Sequence, residues 1–477
     1  MATVRDFQVN NGLEVNLNAN VANAVSASDF IQSNPERAYA PTVVFDFSKS
    51  QQLDPRITFV RASSATYTAA NGLIASVGND VPRFQFENGM NQGLFIETQR
   101  QNLVKYSNDF FTGLNTNVVS GSYVFYDGSI GLRQGGLGMV LNQDYAVSIY
   151  IKINAQSNQN IGVNIGDNTA NSYNANTAPI GQWVRVSGIC RLGPSGDIFD
   201  IRVNTPKIGI ASVQVWFGNP ANTGFVTQNY GIAPNGLRES TRVNWTSTDN
   251  TLFDMELWGG QVEAGTYVTS YIPTTSFAAT RMYDFAYITD PITTIKMNPK
   301  QGAFLFVGKT YKAHNANNVS YDVGTTGLML QDSNFGTQNN YAVMVVRDDT
   351  TGQLYSNHIT QVGSTYTQTS VGGGSNFFFT NTEIRCVANY TYTSAVKQYN
   401  IAGSSNGVSN TSASQSFVTT ATSASPALTV SVPFPSSYLV FGQNYGFGNR
   451  MWGGPIKKVA YYNRTLSNNE IITLTTI

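Results

Sequence analysis

Two carboxylates separated by a single residue, Asp254 and Glu256, are the best candidates for catalytic chemistry in this chain of 477 residues. They lie in the run FDMELWGGQVE, which reads as a strand, so both side chains should project from one face. Glycoside hydrolysis needs two carboxylates roughly 5–10 Å apart across the scissile bond. Cleavage of a glycan is therefore the enzymatic reaction that this pair would support.

The context of this pair argues against catalysis. Its spacing resembles part of the Glu-x-Asp-x-Glu strand of sandwich-fold glycosidases, but Leu252 occupies the position of the leading, nucleophilic carboxylate. The adjacent pair Asp348 and Asp349 fits a turn better than an active site. We therefore predict that the chain has no catalytic residues and is not an enzyme.

Other catalytic groups are scarce. The two histidines, His314 and His358, lie in polar, Asn-rich contexts that indicate surface loops. Nucleophilic catalysis needs a base held beside the nucleophile, and a zinc site needs clustered Cys and His residues. The sequence has neither pattern. Cys190 and Cys386 are far apart and are predicted to be reduced thiols.

No cofactor is expected, and the ion to consider is calcium. Ca²⁺ takes several oxygen ligands, usually from loops. The candidate ligands are four aspartates, Asp322, Asp332, Asp348 and Asp349. They lack the spacing of an EF-hand, so the sequence assigns no metal site.

One glycine-rich segment has the composition of a sugar-binding site. Residues 441–454 read FGQNYGFGNRMWGG and combine aromatic rings with amide and guanidinium groups. Sugar C–H faces stack on rings, whereas sugar hydroxyls need planar polar partners. Tyr445 and Arg450 are the predicted glycan contacts, and Trp452 is predicted to pack in the core beneath the final strand.

Composition narrows the classes of partner. Hydrophobic residues make up 41% of the chain, which is enough for real cores, while 28 basic and 28 acidic residues leave no net charge. A neutral chain without basic runs lacks the electrostatic footprint of a nucleic-acid-binding protein. No apolar run approaches the roughly 20 residues of a spanning helix, and no secretory signal is visible, so we expect neither membrane insertion nor export.

Short apolar runs separated by Gly, Asn and Pro predict an all-β chain. Strict alternation from Leu13 to Val21 indicates a strand, and residues 1–40 are interpreted as an extended anchoring arm, the alternative being the first strand of the next domain. A small β subdomain is predicted at 41–102, a first sandwich at 103–284, a linker at 285–300 and a second sandwich at 301–477. The pattern Ser467-x-x-Glu470 predicts one short C-terminal helix.

Three segments carry a resemblance to known proteins. Arg61–Gly72 (RASSATYTAANG), Val81–Phe84 (VPRF) and Gly93–Leu103 (GLFIETQRQNL) resemble a segment of tailed-bacteriophage virion proteins, cyanophages among them. Residues 257–284, LWGGQVEAGTYVTSYIPTTSFAATRMYD, look like the closing segment of the same phage domain. Residues 453–474 are similar to the last strand and terminal turn of laminin-G or concanavalin-A-like domains.

This resemblance implies a non-enzymatic structural component of a virion, assembled in the host cytoplasm. It favours a tail-fibre or appendage protein with two tandem jelly-roll or concanavalin-like sandwiches that attach to a host-surface glycan. Residues 1–40 would bind other virion proteins, and the chain would form a homo-oligomer, with a trimer favoured. The alternatives are a capsid decoration or head-fibre protein, a tailspike-type glycan depolymerase, and a host-derived lectin.

Overall fold

The computed structural model describes a large part of the chain. Its described residues are 7–9, 13–15, 39–108, 123–124, 130–135, 137–140, 143–155, 162–165, 172–174, 179–191, 198–202, 213–217, 226–246, 252–312, 325–331, 340–347, 354–362, 365–373, 382–392, 397–405, 415–423, 437–443 and 451–475.

Strands account for nearly all of the regular structure among the described residues, which confirms the all-β prediction. The strands up to residue 264 are β1 (Phe7–Val9), β2 (Leu13–Val15), β3 (Val43–Asp46), β4 (Thr58–Val60), β5 (Ala65–Thr68), β6 (Ile74–Val77), β7 (Phe84–Glu87), β8 (Met90–Ile96), β9 (Arg100–Asn102), β10 (Tyr123–Val124), β11 (Ile130–Gly135), β12 (Asp144–Ala155), β13 (Gly162–Ile165), β14 (Ser172–Asn174), β15 (Trp183–Arg191), β16 (Ile198–Arg202), β17 (Val213–Phe217), β18 (Val226–Ile232), β19 (Arg238–Thr246) and β20 (Leu252–Ala264). The remaining strands are β21 (Ala279–Arg281), β22 (Phe285–Thr289), β23 (Gln301–Thr310), β24 (Thr325–Gln331), β25 (Asn340–Arg347), β26 (Leu354–Val362), β27 (Thr365–Gly373), β28 (Thr382–Tyr392), β29 (Lys397–Ser405), β30 (Gln415–Ser423), β31 (Tyr438–Phe441) and β32 (Gly454–Tyr462).

Two helices occur within the described residues. Helix α1 (Pro291–Thr294) begins at a proline, which suits the first helical position because proline has no N–H to leave unpaired. Helix α2 (Asn468–Thr475) is the predicted C-terminal helix. Its capping box is present, because the Ser467 N–H donates to Glu470 Oε2 at 2.7 Å and the Glu470 N–H donates to Ser467 Oγ at 3.4 Å.

Two large antiparallel sheets share one hydrophobic core. The eight-stranded sheet has the order β30-β29-β28-β23-β32-β8-β7, with β3 also paired to β32, and the seven-stranded sheet has the order β27-β26-β25-β24-β31-β22-β4. Phe304 and Trp452 from the side of the first sheet pack with Leu328 and Phe441 from the second. On the other face of the eight-stranded sheet, α2 contributes Leu474 to a second cluster of apolar side chains.

Strands from distant parts of the sequence complete these two sheets. Val43–Asp46 pairs with β32 through Phe45 opposite Val459, and β8 pairs with the beginning of the same strand. In the seven-stranded sheet, β22 lies between β31 and β4. The ladders therefore cross the predicted boundaries at 102/103 and 300/301, and the predicted linker 285–300 contains β22 and α1.

The segment between these strands forms further sheets. The five-stranded sheet has the order β15-β12-β20-β19-β18, and a six-stranded sheet contains β10, β11, β13, β14, β16 and β17. Val147, Ile149 and Ile151 of β12 are buried on one face, while Ser148 on the other face is buried as well. Both faces of this strand are covered, as its poorly alternating sequence indicates.

The described residues contain only the first part of the strand predicted over residues 13–21. Strand β2 (Leu13–Val15) pairs antiparallel with β1, with Phe7 opposite Val15. Residues 16–21 lie outside the described residues. In the part of the chain that the structure describes, no helix has the length and apolar character needed to cross a bilayer.

Candidate functional site

Residues from separate parts of the two motif segments, 61–103 and 257–284, meet in one buried cluster of charges. Arg61 follows β4, Arg83 precedes β7, Glu97 follows β8, Arg281 ends β21, and Asp284 precedes β22. We call these five residues the ionic cluster. Each of them is 0–1% exposed. Charged side chains are rarely buried to this degree unless they are paired.

Asp284 is the centre of one half of the cluster. Its Oδ1 accepts a hydrogen bond from Arg61 Nη1 at 2.9 Å, and its Oδ2 accepts from Arg83 Nη2 and from the Glu97 N–H, the latter at 2.8 Å. Arg61 also donates to three backbone carbonyls, those of Ser63, Gly78 and Val81. Asp284 thus ties β4 and β7 to the strand β22 that follows it.

Glu97 is the centre of the other half. Its Oε2 accepts from Arg83 Nη1 at 2.7 Å, from Arg281 Nη1 at 2.8 Å and from Ser270 Oγ at 2.6 Å. Its Oε1 accepts from the Ser270 N–H at 2.7 Å. Arg83 bridges the two halves, and its guanidinium also lies 4.8 Å from the centre of the Phe95 ring. Arg83 therefore joins both carboxylates and an aromatic face in one geometry.

The surrounding charges keep Glu97 and Arg83 ionised. Burial by itself raises the pKa of Glu97, but the charges of Arg281 and Arg83 and the hydrogen bonds from Ser270 lower it to about 2. Burial lowers the pKa of Arg83, yet the charges of Asp284 and Glu97 leave it above its usual value. A carboxylate held in this way neither donates nor accepts a proton near neutral pH, so the cluster is suited to structure rather than to acid–base catalysis.

Glu263 extends the network from β20. Its Oε1 accepts from the Thr269 N–H at 2.7 Å and from Gln261 Nε2 at 2.9 Å, and its Oε2 accepts from Thr269 Oγ1 at 2.6 Å. Gln261 Nε2 also donates to the carbonyl of Ser270, the residue that holds Glu97. The polar residues of the closing motif therefore form a layer connected to the ionic cluster.

Asn102 connects the motif segments 61–103 and 257–284 to each other. Its amide nitrogen donates to the carbonyls of Gly260 at 3.0 Å and Ile272 at 2.8 Å. Its amide oxygen accepts from the N–H groups of Val104 and Val262, both at 3.1 Å. The two donors and two lone pairs of the side chain are all used.

The glycines of the motifs are required by close approach of the backbone. Gly93 has a φ of +116°, and a Cβ there would lie 2.1 Å from the Ile456 carbonyl oxygen, on the neighbouring strand β32. At Gly265, where φ is +141°, a Cβ would lie 2.5 Å from Arg100 Nη2. Only glycine adopts these conformations without strain and without a steric clash.

Asp254 and Glu256 do share one face of β20, as predicted, since Asn154 Nδ2 donates to both, to Asp254 Oδ1 at 3.3 Å and to Glu256 Oε1 at 3.0 Å. Arg242 pairs with Asp254, and Lys152 Nζ lies 2.5 Å from Glu256 Oε1. Both acids are 4% exposed. Burial raises the pKa of Asp254, but hydrogen bonds from Arg242 and Asn154 leave it below its ordinary value. A general acid needs a raised pKa, so Asp254 is not suited to that role.

The predicted glycan contacts, Tyr445 and Arg450, lie outside the described residues. Trp452, at the end of the same segment, is 0% exposed and packs with its ring centre 4.7 Å from that of Phe306. Its indole N–H donates to the Pro455 carbonyl at 3.2 Å. The core position predicted for this tryptophan is observed.

Of the remaining candidates, only Cys386 has a side chain among the described residues. Cys386 is a free, buried thiol, and burial raises its pKa, which makes it a poor nucleophile. Among the described residues, no group of three or more His, Cys, Asp or Glu side chains could hold a metal ion. The four candidate calcium ligands lie outside the described residues, as do the side chains of His314, His358 and Cys190.

Comparison of the sequence with protein-family models and with curated proteins finds no match. The class of protein is therefore defined by the fold and the cluster alone: an all-β chain with a wholly buried ionic network between distant segments.

The sequence indicated the motifs but not the cluster. Arg61, Arg83 and Glu97 are separated charges within apolar runs, VRAS, VPRF and FIET. The available signal is that charged residues are only 12% of the chain, so a charge flanked by apolar residues is unusual here. Their partners, Arg281 and Asp284, could not be matched to them without the sheet pairing.

Proposed function

We propose that this chain is a non-enzymatic structural component of a tailed-phage virion. More narrowly, it is a fibre or appendage protein whose β-sandwiches, of the jelly-roll or concanavalin-like type, attach to glycans on the host surface. In this proposal residues 1–40 bind other virion proteins, and the chain forms a homo-oligomer, with a trimer favoured, on the assembled particle.

The observation that carries the proposal is the burial of the residues on which the phage resemblance rests. Arg61, Arg83 and Glu97 come from the first motif region, and Arg281 and Asp284 come from the second. Each of the five forms an ion pair with at least one of the others. Side chains out of reach of solvent cannot recognise a ligand or a substrate. Their shared role is to fix the fold, so the resemblance supports a common structural unit rather than a common reaction.

The state of the acidic pair supports the non-enzymatic part of the proposal. Asp254 and Glu256 each face a cation, and Glu256 Oε2 also accepts from Ser240 Oγ at 2.5 Å. Glycosidic cleavage needs one protonated carboxyl and one carboxylate open to the substrate. This pair has both groups engaged by Arg242 and Lys152 instead, so the depolymerase alternative has less support.

Electron microscopy of intact particles tests the proposal. Phage particles purified by density gradient are labelled with an antibody fragment raised against the folded chain, and the label is expected on a tail appendage. Labelling of the shell would favour the capsid-decoration alternative. Absence of the protein from purified particles, measured by mass spectrometry, would refute a virion role altogether.

Removal of the arm tests the anchoring part. A chain lacking residues 1–25 is expected to keep the melting temperature (Tm) of the full chain and to be lost from particles, because the described ionic cluster and both large sheets lie outside that segment. The full chain, supplied from the same expression system, is the control. Incorporation of the shortened chain at full occupancy would show that the arm is not the anchor.

A further inference from the structure

Three Asn-Gly pairs lie in tight turns of the described part of the chain. Residues 71–72 connect β5 to β6, residues 88–89 connect β7 to β8, and residues 235–236 connect β18 to β19. Asparagine is thermally labile, and a following glycine favours succinimide formation because no Cβ hinders the approach of its nitrogen to the side-chain amide. The sequence makes all three pairs candidate deamidation sites, and the structure distinguishes them.

The turn at residues 69–73 holds its amide groups in place. The Gly72 N–H donates to the Ala69 carbonyl at 2.9 Å. The Asn71 side chain is also engaged, because its Oδ1 accepts from the Leu73 N–H at 3.0 Å. Both hydrogen bonds must break before the glycine nitrogen can attack the side chain.

The turn at residues 233–237 has the same arrangement. The Gly236 N–H donates to the Ala233 carbonyl at 2.9 Å, and the Leu237 N–H donates to Asn235 Oδ1 at 3.0 Å. In addition, Asn235 Nδ2 donates to Glu239 Oε1. This asparagine is therefore held at both atoms of its amide.

The turn between β7 and β8 is of a different type. Asn88 has a φ of +51° and Gly89 a φ of +77°, and Glu87 lies opposite Met90, which defines a two-residue hairpin loop with positive φ at both positions. Both loop residues are exposed. Among the described residues, neither the Asn88 side-chain amide nor the Gly89 N–H has a hydrogen-bond partner. Both reacting groups are thus free and open to water.

We propose that Asn88 is a spontaneous modification site, and that it deamidates before Asn71 and Asn235. The Gly89 nitrogen loses its proton to a base in the solvent and bonds to Asn88 Cγ. The bond from Cγ to the side-chain nitrogen breaks, that nitrogen takes up a proton and leaves as ammonia, and a five-membered succinimide remains. Water then opens the ring at either carbonyl, which gives aspartate or isoaspartate. The reaction consumes one water molecule, releases one ammonia and involves no change of oxidation state.

The position of this turn limits the effect of the modification. The β7–β8 hairpin is fixed at its other end, where Arg83 and Glu97 belong to the ionic cluster and residues 94–96 pair with β32. Glu87, the neighbour of Asn88 in sequence, accepts from Lys309 Nζ at 2.6 Å and from Tyr311 Oη at 2.8 Å. A second carboxylate therefore appears at the exposed tip of the hairpin, next to this link, while the buried cluster stays intact. We expect the surface charge to change with the age of the molecule without loss of the fold.

The experiment compares the three asparagines within one sample of the full chain. The folded protein is incubated in mildly alkaline buffer made with oxygen-18 water, which labels each new carboxylate, and the peptides that contain each asparagine are quantified over time by mass spectrometry. Each hydrogen bond that must break should slow the attack by roughly five- to tenfold, so Asn88 should convert at least about tenfold faster than Asn71 or Asn235.

Two controls separate the effect of structure from that of sequence. In urea the turns are absent, and the three asparagines should convert at similar rates. The variant Asn88→Gly removes the reacting amide but keeps a residue that accepts positive φ at this position. It should have the Tm of the wild type and no conversion at residue 88, with the rates at Asn71 and Asn235 unchanged.

The inference would be overturned by equal rates at the three positions in the folded chain, or by faster conversion at Asn71 or Asn235. It would also be overturned if Asn88 stayed intact in the folded chain over a period in which the unfolded chain is converted. None of these results bears on the proposed virion role, which the position of the label on particles decides independently.

Discussion

Glu97→Gln keeps the size of the side chain and removes the negative charge that lies between Arg83 and Arg281. Both guanidinium groups then lose the same buried partner, at 2.7 and 2.8 Å. Breaking a buried ion pair lowers the free energy of unfolding by roughly 3–5 kcal/mol, and the loss of two contacts favours the upper end of that range. At about 2–4 °C per kcal/mol for domains of this class, we expect the Tm to fall by about 10 °C or more, measured by differential scanning calorimetry.

A surface glutamate provides the control for this prediction. Glu470 pairs with Arg464 at 2.6 Å in a geometry as close as that of Glu97, but the Arg464 side chain is 43% exposed. Exposed pairs contribute roughly 0–1 kcal/mol, so Glu470→Gln should change the Tm by only a few degrees. If the two variants were equally stable, the buried cluster would not hold the fold together as inferred.

The same residue predicts how stability depends on pH. Burial raises the pKa of Glu97, and the charges of Arg281 and Arg83 lower it by more, from 4.5 to about 2. Between pH 4.5 and about 2, Glu97 therefore takes up a proton in the unfolded chain but not in the folded chain. The contribution of Glu97 to the free energy of unfolding is present above pH 4.5 and is lost as the pH falls towards 2. The loss is roughly 3 kcal/mol. In urea unfolding, the difference in the free energy of unfolding between wild type and Glu97→Gln should become smaller over this pH range. A difference that does not change with pH would contradict the low pKa of Glu97.

Gly93→Ala should prevent β8 from pairing with β32, because the new Cβ would lie 2.1 Å from the Ile456 carbonyl oxygen. We expect this variant to yield little soluble protein. The control, Gly78→Ala, should express normally, because a Cβ at that position has no other part of the chain within 4 Å. Asp254→Asn should lower the Tm, because it weakens a partly buried ion pair. Neither this variant nor the wild type is expected to hydrolyse a glycan. A hydrolytic activity of the wild type that the variant loses would support the depolymerase alternative. A fragment of residues 301–477 should show no cooperative thermal unfolding by circular dichroism, because both large sheets lack strands from residues 43–96, and a sharp transition would refute this.

Local pattern was sufficient to predict much of the fold. The apolar run YAVSIYIKI became the central part of β12, and Ser467 and Glu470 form the capping box from which helix α2 was predicted. These elements depend on periodicity and on contacts between residues three positions apart, and both can be recognised in the sequence.

Pairing between distant segments could not be predicted in the same way. Val43–Asp46 lies in the short apolar run VVFDF, which predicts a strand, but nothing in it specifies Val459 and its neighbours as the partner. Backbone hydrogen bonds in a ladder do not depend on side-chain identity, so many partners and registers are compatible with one short apolar run. For the same reason the sequence places Arg61 and Asp284, which are 223 residues apart, in separate motifs and does not indicate that they form an ion pair.

Strand β32 has a consequence for synthesis of the chain. Both β3 and β8 form backbone hydrogen bonds with this strand, and Asp46 of β3, for example, lies opposite Lys458. At about 5–20 residues per second, a ribosome needs on the order of 20–80 s to make the intervening chain. During that interval the first strands leave the exit tunnel with their backbone groups unpaired, and such strands are templates for aggregation. The nascent polypeptide is therefore expected to need protection by chaperones until residues 454–462 have emerged, and slower translation should reduce the yield of native protein.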